Sequence, residues 1–243
     1  MGEVKKDSLE VTWLCQGGFL LEADGFRVVI DPYLSDALKA RGQERMVAAP
    51  LAIGELRPDV VFFTHDHADH FDEQTVMPLA KAWPDCHFAG PTSTQEHYCR
   101  LGLNPKLFMT VDCGMSYVWG PLVVKAVPAY HTDKYAVGMV IYFGGRHIYL
   151  SGDTEWSEEL VPAVKKVAGG SLDMVIICIN GKLGNMTDTE AEKVVTELKT
   201  GVVVPMHYGL FANNTIAPEP FAARVEGKGI KCVLMEPGKP VKF

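Results

Sequence analysis

Short apolar runs of strand length recur along the whole chain. They are rich in Val, Ile, Phe and Tyr, and they cover residues 9–14, 18–23, 26–31, 59–65, 86–90, 116–120, 122–129, 138–145, 146–153, 173–180 and 201–207. Runs of this length and composition, bounded by turn-forming residues, are typical of β-strands. The pattern therefore predicts a protein built around β-sheets.

Helical signals are fewer and fall between these runs. We expect helices from about Glu73 to Ala82 and within residues 91–102, where Gly102 is the stop. The strongest signal follows Thr187, which precedes Glu190 by three residues, as in a capping box. Four apolar residues then repeat at helical spacing: Ala191, Val194, Val195 and Leu198. This spacing predicts a helix with one buried face.

The strands come in two runs, each followed by helical segments. Two sheets that face one another, with helices on their outer faces, agree with this order. We therefore predict an α/β fold, an αββα sandwich of two facing mixed β-sheets, formed as a single domain over residues 1–243. The polar stretch from Ser35 to Arg57 is interpreted as a flap or a substrate loop.

Composition restricts the function classes. The net charge of −7 at pH 7 disfavours a nucleic-acid partner, because neutralising phosphates requires a basic surface. The longest apolar run, Met174–Ile179, is too short to cross a bilayer, and the N-terminal MGEVKKDSLEV lacks the apolar part of an export signal. The six cysteines show no CxxC spacing, as expected for reduced thiols. These features predict a cytoplasmic protein that binds neither nucleic acid nor membrane.

The segment FFTHDHADHFD carries the densest group of candidate ligands. Residues 64–72 contain three histidines and three aspartates directly behind an apolar run. Residues two apart in an extended segment project to the same side, so His65 and His67 present two imidazoles together. Asp69 and His70 fall in the following turn and can fold back over the same point. Nitrogen and oxygen donors without thiolates suit Zn, Mn or Fe; the alternative is a polar turn that solvates a helix start.

Three residues far downstream also follow predicted strands: His131, Asp153 and His207. In isolation, a His or Asp at such a position is more often a turn or hydrogen-bonding residue. Together they supply the further donors that a hydrolytic metal site needs beyond one loop. The remaining histidines lack this setting and are interpreted as structural: His87, His97 and His147.

The motif HDHADH, followed by His131, SGDT and PMHYG, resembles the metallo-β-lactamase superfamily over nearly the whole chain. Within it, the segments THDHADHFD, FAGPTST, SGDTEWS and PMHYGLFANN are most similar to the L-ascorbate-6-phosphate lactonase (UlaG-like) group of metal-dependent hydrolases. That group differs at the position of His131, where it carries aspartate, and its chain is longer at both ends. The resemblance implies the αββα sandwich and a site for two metal ions.

The resemblance also implies a role for each candidate ligand. It implies two metal subsites that share a bridging carboxylate: His65, His67 and His131 in one, Asp69, His70 and His207 in the other, and Asp153 between them. The implied cofactors are two divalent ions, Zn or Mn, with Fe as a further option. Asp31 would accept a hydrogen bond from a ligand imidazole. On turn chemistry alone, a cap for the turn at Pro32 is an equally good interpretation.

The predicted function is hydrolysis by a metal-activated water molecule, with the opening of a small lactone, such as that of a phosphorylated sugar acid, as the first hypothesis. Divalent ions lower the pKa of water, so no serine nucleophile is needed, and the chain has no GxSxG motif. Asp69 would orient the water or accept its proton, and Asp153 would hold both ions. Tyr208 is a candidate proton donor to the leaving alkoxide, with a packed aromatic ring as the alternative.

Two other functions remain open. A phosphodiesterase acting on a small or cyclic phosphodiester would use the same two ions, and a non-catalytic metal-binding protein is the third hypothesis. The substrate is expected to be a small molecule, with an anionic one as an option. Four cationic side chains are candidates to contact an anion or are simply solvated: Arg41, Arg45, Lys134 and Lys182. Association into a homo-oligomer is left open.

Overall fold

The computed structural model describes residues 9–243, which form two seven-stranded β-sheets. The strands of the first sheet are β1 (Glu10–Trp13), β2 (Phe19–Ala23), β3 (Phe26–Ile30), β4 (Val60–Phe62), β5 (His87–Gly90), β6 (Phe108–Thr110) and β14 (Pro240–Lys242). Their spatial order is β14-β1-β2-β3-β4-β5-β6. Pairing is antiparallel from β14 to β3 and parallel from β3 to β6, so the sheet is mixed.

The second sheet has the same mixed character. Its strands are β7 (Ser116–Trp119), β8 (Leu122–Pro128), β9 (Val137–Phe143), β10 (Arg146–Leu150), β11 (Met174–Cys178), β12 (Val202–Met206) and β13 (Lys231–Cys232). Strands that are neighbours in this sheet are consecutive in the chain. Their pairing is antiparallel from β7 to β10 and parallel from β10 to β13. The predicted fold class, two mixed sheets with helices, is confirmed.

Six α-helices occur among residues 9–243: α1 (Ile53–Leu56), α2 (Glu73–Ala82), α3 (Thr92–Arg100), α4 (Leu160–Ala168), α5 (Asp188–Leu198) and α6 (Glu219–Glu226). None of them has the length and apolar character needed to cross a membrane.

Alternation along β4 shows how the layers are separated. Val60 and Phe62 belong to the large apolar core that the two sheets share, which also contains Phe143 of β9. Val61 and Phe63 point the other way and pack in a second cluster with residues of α2 and α3. Because successive side chains of a strand face opposite sides, one short strand contributes to both cores.

Several local predictions are confirmed, and three helices were missed. The helix expected over residues 73–82 has the same bounds in the structure. The capping box of α5 is present, with the Thr187 N–H donating to Glu190 Oε2 at 2.8 Å. Helices α1, α4 and α6 were not predicted, because none of them begins with a side-chain cap that a sequence pattern could reveal. The strand expected at 59–65 stops at Phe62, so His65 lies in the loop beyond it.

Candidate metal centre

The loops that follow the carboxyl ends of four strands meet at one edge of the sandwich. The loop after β4 carries residues 65–70, and the turns after β8, β10 and β12 carry His131, Asp153 and His207. All seven sequence-predicted ligands are brought together there, although they come from both sheets.

The first group of candidate ligands consists of His65, His67 and His131, whose donor atoms lie within 4.8 Å of one another. His131 Nδ1 donates to the carbonyl oxygen of Gly184 at 2.9 Å, which leaves Nε2 without a proton when the ring is neutral. This Nε2 faces Nδ1 of His67 at 3.1 Å. Two ring nitrogens at that distance require a proton or a cation between them.

The second group consists of Asp69, His70 and His207, again within 4.8 Å of one another. Asp69 Oδ2 lies 3.8 Å from Nε2 of His70 and 3.6 Å from Nε2 of His207. Asp153 also contacts both rings, with Oδ1 at 3.4 Å from His70 Nε2 and Oδ2 at 2.9 Å from His207 Nε2. Burial opposes ionisation of Asp153, but His207 and His70 hold its pKa well below the usual value. The carboxylate is therefore ionised.

Asp31, at the end of β3, orients imidazoles of both groups. Its Oδ2 accepts from His70 Nδ1 at 2.8 Å and from the Thr64 hydroxyl at 2.5 Å. Because the hydroxyl proton is used on Asp31, Thr64 Oγ1 must accept from His65 Nδ1, which lies 2.9 Å away. The Nε2 atoms of His65 and His70 are thus both turned toward the shared space. The predicted position of Asp31 behind a cluster imidazole is confirmed, and a simple turn cap is not its role.

Buried atoms without partners show that these residues fit divalent cations. His65 Nε2, His70 Nε2 and Asp153 Oδ1 are buried and make no hydrogen bond within residues 9–243, although the last two atoms lie 3.4 Å apart. Burial also lowers the pKa of His65, so its ring is neutral at pH 7. Unpaired buried polar atoms cost free energy, and a cation relieves that cost. The donors are nitrogen and oxygen alone, a set that suits Zn, Mn or Fe.

A sequence profile of the β-lactamase superfamily domain matches residues 26–208. The chain belongs to this superfamily. It is 26% identical to a metal-dependent hydrolase of Thermus thermophilus, over 97% of this chain and 99% of the relative. It is 28% identical to one of Methanopyrus kandleri, over 95% and 98% of the two chains.

The fold is similar to that of Igni18, a metallo hydrolase from the archaeon Ignicoccus hospitalis. The TM-score is 0.80 at 23% identity, over 97% of this chain and 98% of that chain. The superfamily match and the His/Asp groups identify a metal-dependent hydrolase, and the superfamily predicted from HDHADH is confirmed.

Two amides in this β-lactamase-superfamily site were missed by sequence reasoning. Gln16, in the turn between β1 and β2, donates from Nε2 to Asp69 Oδ2 at 2.8 Å. Asn185 donates from Nδ2 to Asp153 Oδ2 at 2.9 Å. Neither belongs to a His/Asp motif, and both lie far from their partners in the chain. The adjacent Gly17-Gly18 pair was the available signal, since paired glycines often mark a close approach of backbone to a site.

Tyr208 is not part of the cluster. Its ring packs against Trp13, with 4.9 Å between centroids, and belongs to the core between the sheets. Burial raises the pKa of its hydroxyl, which has no hydrogen-bond partner within the described residues. The structure therefore corrects the predicted proton-donor role: Tyr208 follows His207 in the chain, but its side chain is a packed aromatic ring.

The remaining histidines lie outside the two groups. His97 contacts the carboxylates of Asp66 and Glu73 and stacks on Phe71. His87 packs on Trp119, and His147 packs on Tyr142. These contacts agree with the structural roles predicted for them.

Proposed function

We propose that this metal-dependent hydrolase opens a small lactone and that it uses two divalent cations, Zn or Mn, to do so. The observation that carries the proposal is the convergence of seven donor side chains, several with unpaired buried atoms, on one edge of the sandwich. The two groups of three candidate ligands described above, here called the first and second triads, would each hold one cation. Asp153, which contacts His70 and His207 of the second triad, would bridge the two cations.

When bound, the cations would lower the pKa of a water molecule and polarise the carbonyl oxygen of the substrate. The chain itself positions the donors and receives the proton. Asp69 is the more open of the two central carboxylates, with 16% of its side chain exposed against 5% for Asp153. Asp69 is therefore the group suited to take the proton of the attacking water, while Asp153 stays ionised between the histidines.

A cavity of about 610 Å³ opens beside the cluster and is bordered by His67 and Asp69. This volume suits a small molecule. Its other carboxylates are already engaged: Asp72 caps α2, and Asp66 and Glu73 face His97. These contacts leave Asp69 as the carboxylate that lines the cavity and also belongs to the candidate ligands.

The structure shows which of the cationic side chains singled out in the sequence already have partners within the protein. Arg45 donates to backbone carbonyl oxygens of residues 33, 47 and 48. Lys182 donates to the carbonyl oxygens of Asn213 and Thr215, and Lys134 lies over the ring of Tyr135. These three side chains stabilise the fold or cover an aromatic ring.

Arg41 differs from them, because it lines the cavity and makes no side-chain hydrogen bond or ion pair with residues 9–243. Arg100 lines the same cavity, with Nη2 at 3.6 Å from Asp66. A guanidinium group binds carboxylate and phosphate through paired hydrogen bonds. We therefore include an anionic group on the substrate in the proposal, with Arg41 as its contact.

The test is a substrate panel on protein whose metal content has been measured. We expect about two first-row metal ions per chain, as a two-metal site requires, and faster hydrolysis of a sugar-acid lactone or its phosphate than of an acyl-homoserine lactone or an activated phosphodiester. The Asp153→Asn variant should stay folded by circular dichroism and lose turnover. Turnover of the phosphodiester alone would establish a phosphodiesterase instead. A metal-loaded protein inactive on the whole panel would favour a binding role.

A further inference from the structure

The side chain of Gln16 is fully buried at the edge of the second triad. Its Nε2 lies 2.8 Å from Asp69 Oδ2 and 3.3 Å from His207 Nε2. Those two atoms are the candidate ligand atoms of the triad and lie 3.6 Å apart. One neutral amide therefore contacts a carboxylate and an imidazole that are 138 residues apart in the chain.

The backbone of Gln16 is joined to His207 as well. The Gln16 carbonyl oxygen accepts from the His207 N–H at 3.1 Å and from Trp13 Nε1 at 3.1 Å. Gln16 and His207 both have positive φ, 47° and 66°, which is unfavourable for residues other than glycine. The surrounding structure therefore holds both residues in conformations that they would not adopt alone.

The turn that carries Gln16 has no room to move toward the site. A Cβ atom at the next residue, Gly17, would lie 2.7 Å from His70 Cε1. The turn between β1 and β2 therefore lies directly against His70, the third member of the triad.

Burying the Gln16 amide costs free energy, so filling space in the core is not a sufficient reason for an amide at this position. Its Oε1 is buried and has no hydrogen-bond partner among residues 9–243. An apolar side chain of similar size, such as methionine, would fill the space without an unpaired oxygen. The N–H donor directed at Asp69 is the feature that methionine would lack.

We propose that Gln16 is a positioning residue of the second metal subsite: its amide donates to Asp69 Oδ2, fixes that oxygen opposite His207, and so sets the affinity of the triad for its cation. Gln16 makes no hydrogen bond to the first triad within residues 9–243, so the cation of that triad should be unaffected. The inference depends on metal binding and is independent of the substrate.

The test is a metal titration of Gln16→Met, which keeps the size of the side chain and removes the donor. We expect two unequal sites, one of wild-type affinity and one about 10–100-fold weaker, the range found when a hydrogen-bond partner of a metal ligand is removed. Stoichiometry would come from elemental analysis after dialysis against graded free Zn²⁺ or Mn²⁺, and Co²⁺ absorption would report the geometry at each site. Gln16→Asn, which retains a shorter amide, should be intermediate.

The matched control is Gln95→Met on α3, a partly buried glutamine outside the cluster, which should bind two ions as the wild type does. Three results would overturn the proposal. These are unchanged affinity at both sites in Gln16→Met, equal loss at both sites together with loss of the folded circular dichroism signal, and a wild-type protein that binds a single ion.

Discussion

The Nδ1 atom of His70 lies 2.8 Å from Oδ2 of Asp31, and neither side chain is exposed to solvent. The same carboxylate oxygen accepts the hydroxyl of Thr64, which in turn accepts from His65. One carboxylate at the end of β3 therefore sets the tautomer of an imidazole in each triad. A ligand imidazole held in this way presents a fixed, unprotonated nitrogen to a cation.

Replacing Asp31 should weaken both cation sites, whereas Thr64→Val should weaken only the site that contains His65. We expect Asp31→Asn to reduce both affinities about 10–100-fold and to lower the free energy of unfolding by about 1–3 kcal/mol, since a buried hydrogen-bond network is broken. Metal titration and chemical denaturation measure the two effects. Asp24→Asn, in the exposed turn after β2, is the control. Equal behaviour of Asp31→Asn and Asp24→Asn would contradict the assignment.

Substitutions at two glycines, Gly17 and Gly184, should disturb the two triads one at a time. A Cβ at Gly17 would lie 2.7 Å from His70 Cε1, and one at Gly184 would lie 2.9 Å from His131 Nδ1. Gly17→Ala should therefore disturb the second triad and Gly184→Ala the first, each with about 1–3 kcal/mol of lost stability from overpacking. Metal content and thermal unfolding measure these losses. Gly170→Ala, where nothing lies within 4 Å of the added Cβ, should match the wild type.

Arg45 and Arg41 lie in the same loop, but replacing Arg45 should lower stability, whereas replacing Arg41 should weaken substrate binding. Arg45→Ala removes the donors that hold the loop to residues 33, 47 and 48, and we expect a loss of about 1–3 kcal/mol in unfolding free energy. Arg41→Ala should unfold as the wild type does but raise KM for an anionic lactone about tenfold or more, the value of a charge-assisted hydrogen bond. A neutral lactone is the control substrate. An equal rise in KM for both substrates would remove Arg41 from recognition of the anion.

Metal binding should strengthen as pH rises from 6 to 8. Burial opposes protonation of His70, but Asp153, Asp69 and Asp31 raise its pKa well above 6.5. The metal-free folded protein therefore keeps this proton at pH values where the unfolded chain has lost it. The resulting stability is fully present below about pH 6.5 and declines as pH rises through the folded-state pKa.

A cation at the second triad must displace the same proton. Calorimetric titrations in buffers of different ionisation enthalpy should show proton release on metal binding near neutral pH. Binding that releases no proton and has the same affinity at pH 6 and pH 8 would contradict this assignment of His70.

Local signals account for the parts of the molecule that were predicted well. Strand positions follow from apolar runs, α5 from Thr187 and Glu190, and the motif around His65 from its dense His/Asp spacing. His131, Asp153 and His207 were singled out because each follows a predicted strand, and the superfamily resemblance then assigned them to metal subsites. In each case, the signal consists of residue types that neighbouring positions or a short motif can display.

The sequence by itself thus determined the positions of most strands, the fold class and the donor side chains that a cation would need. Only the tertiary structure decided which neutral amides support those donors, that Asp31 orients both triads, that Tyr208 packs in the core and that Arg41 rather than Arg45 faces the cavity. The physical reason is that such contacts join residues distant in sequence, so they depend on how the strands and loops pack. The sequence around a Gln, Asn or Arg residue looks the same whether its side chain contacts a functional site or stabilises a loop.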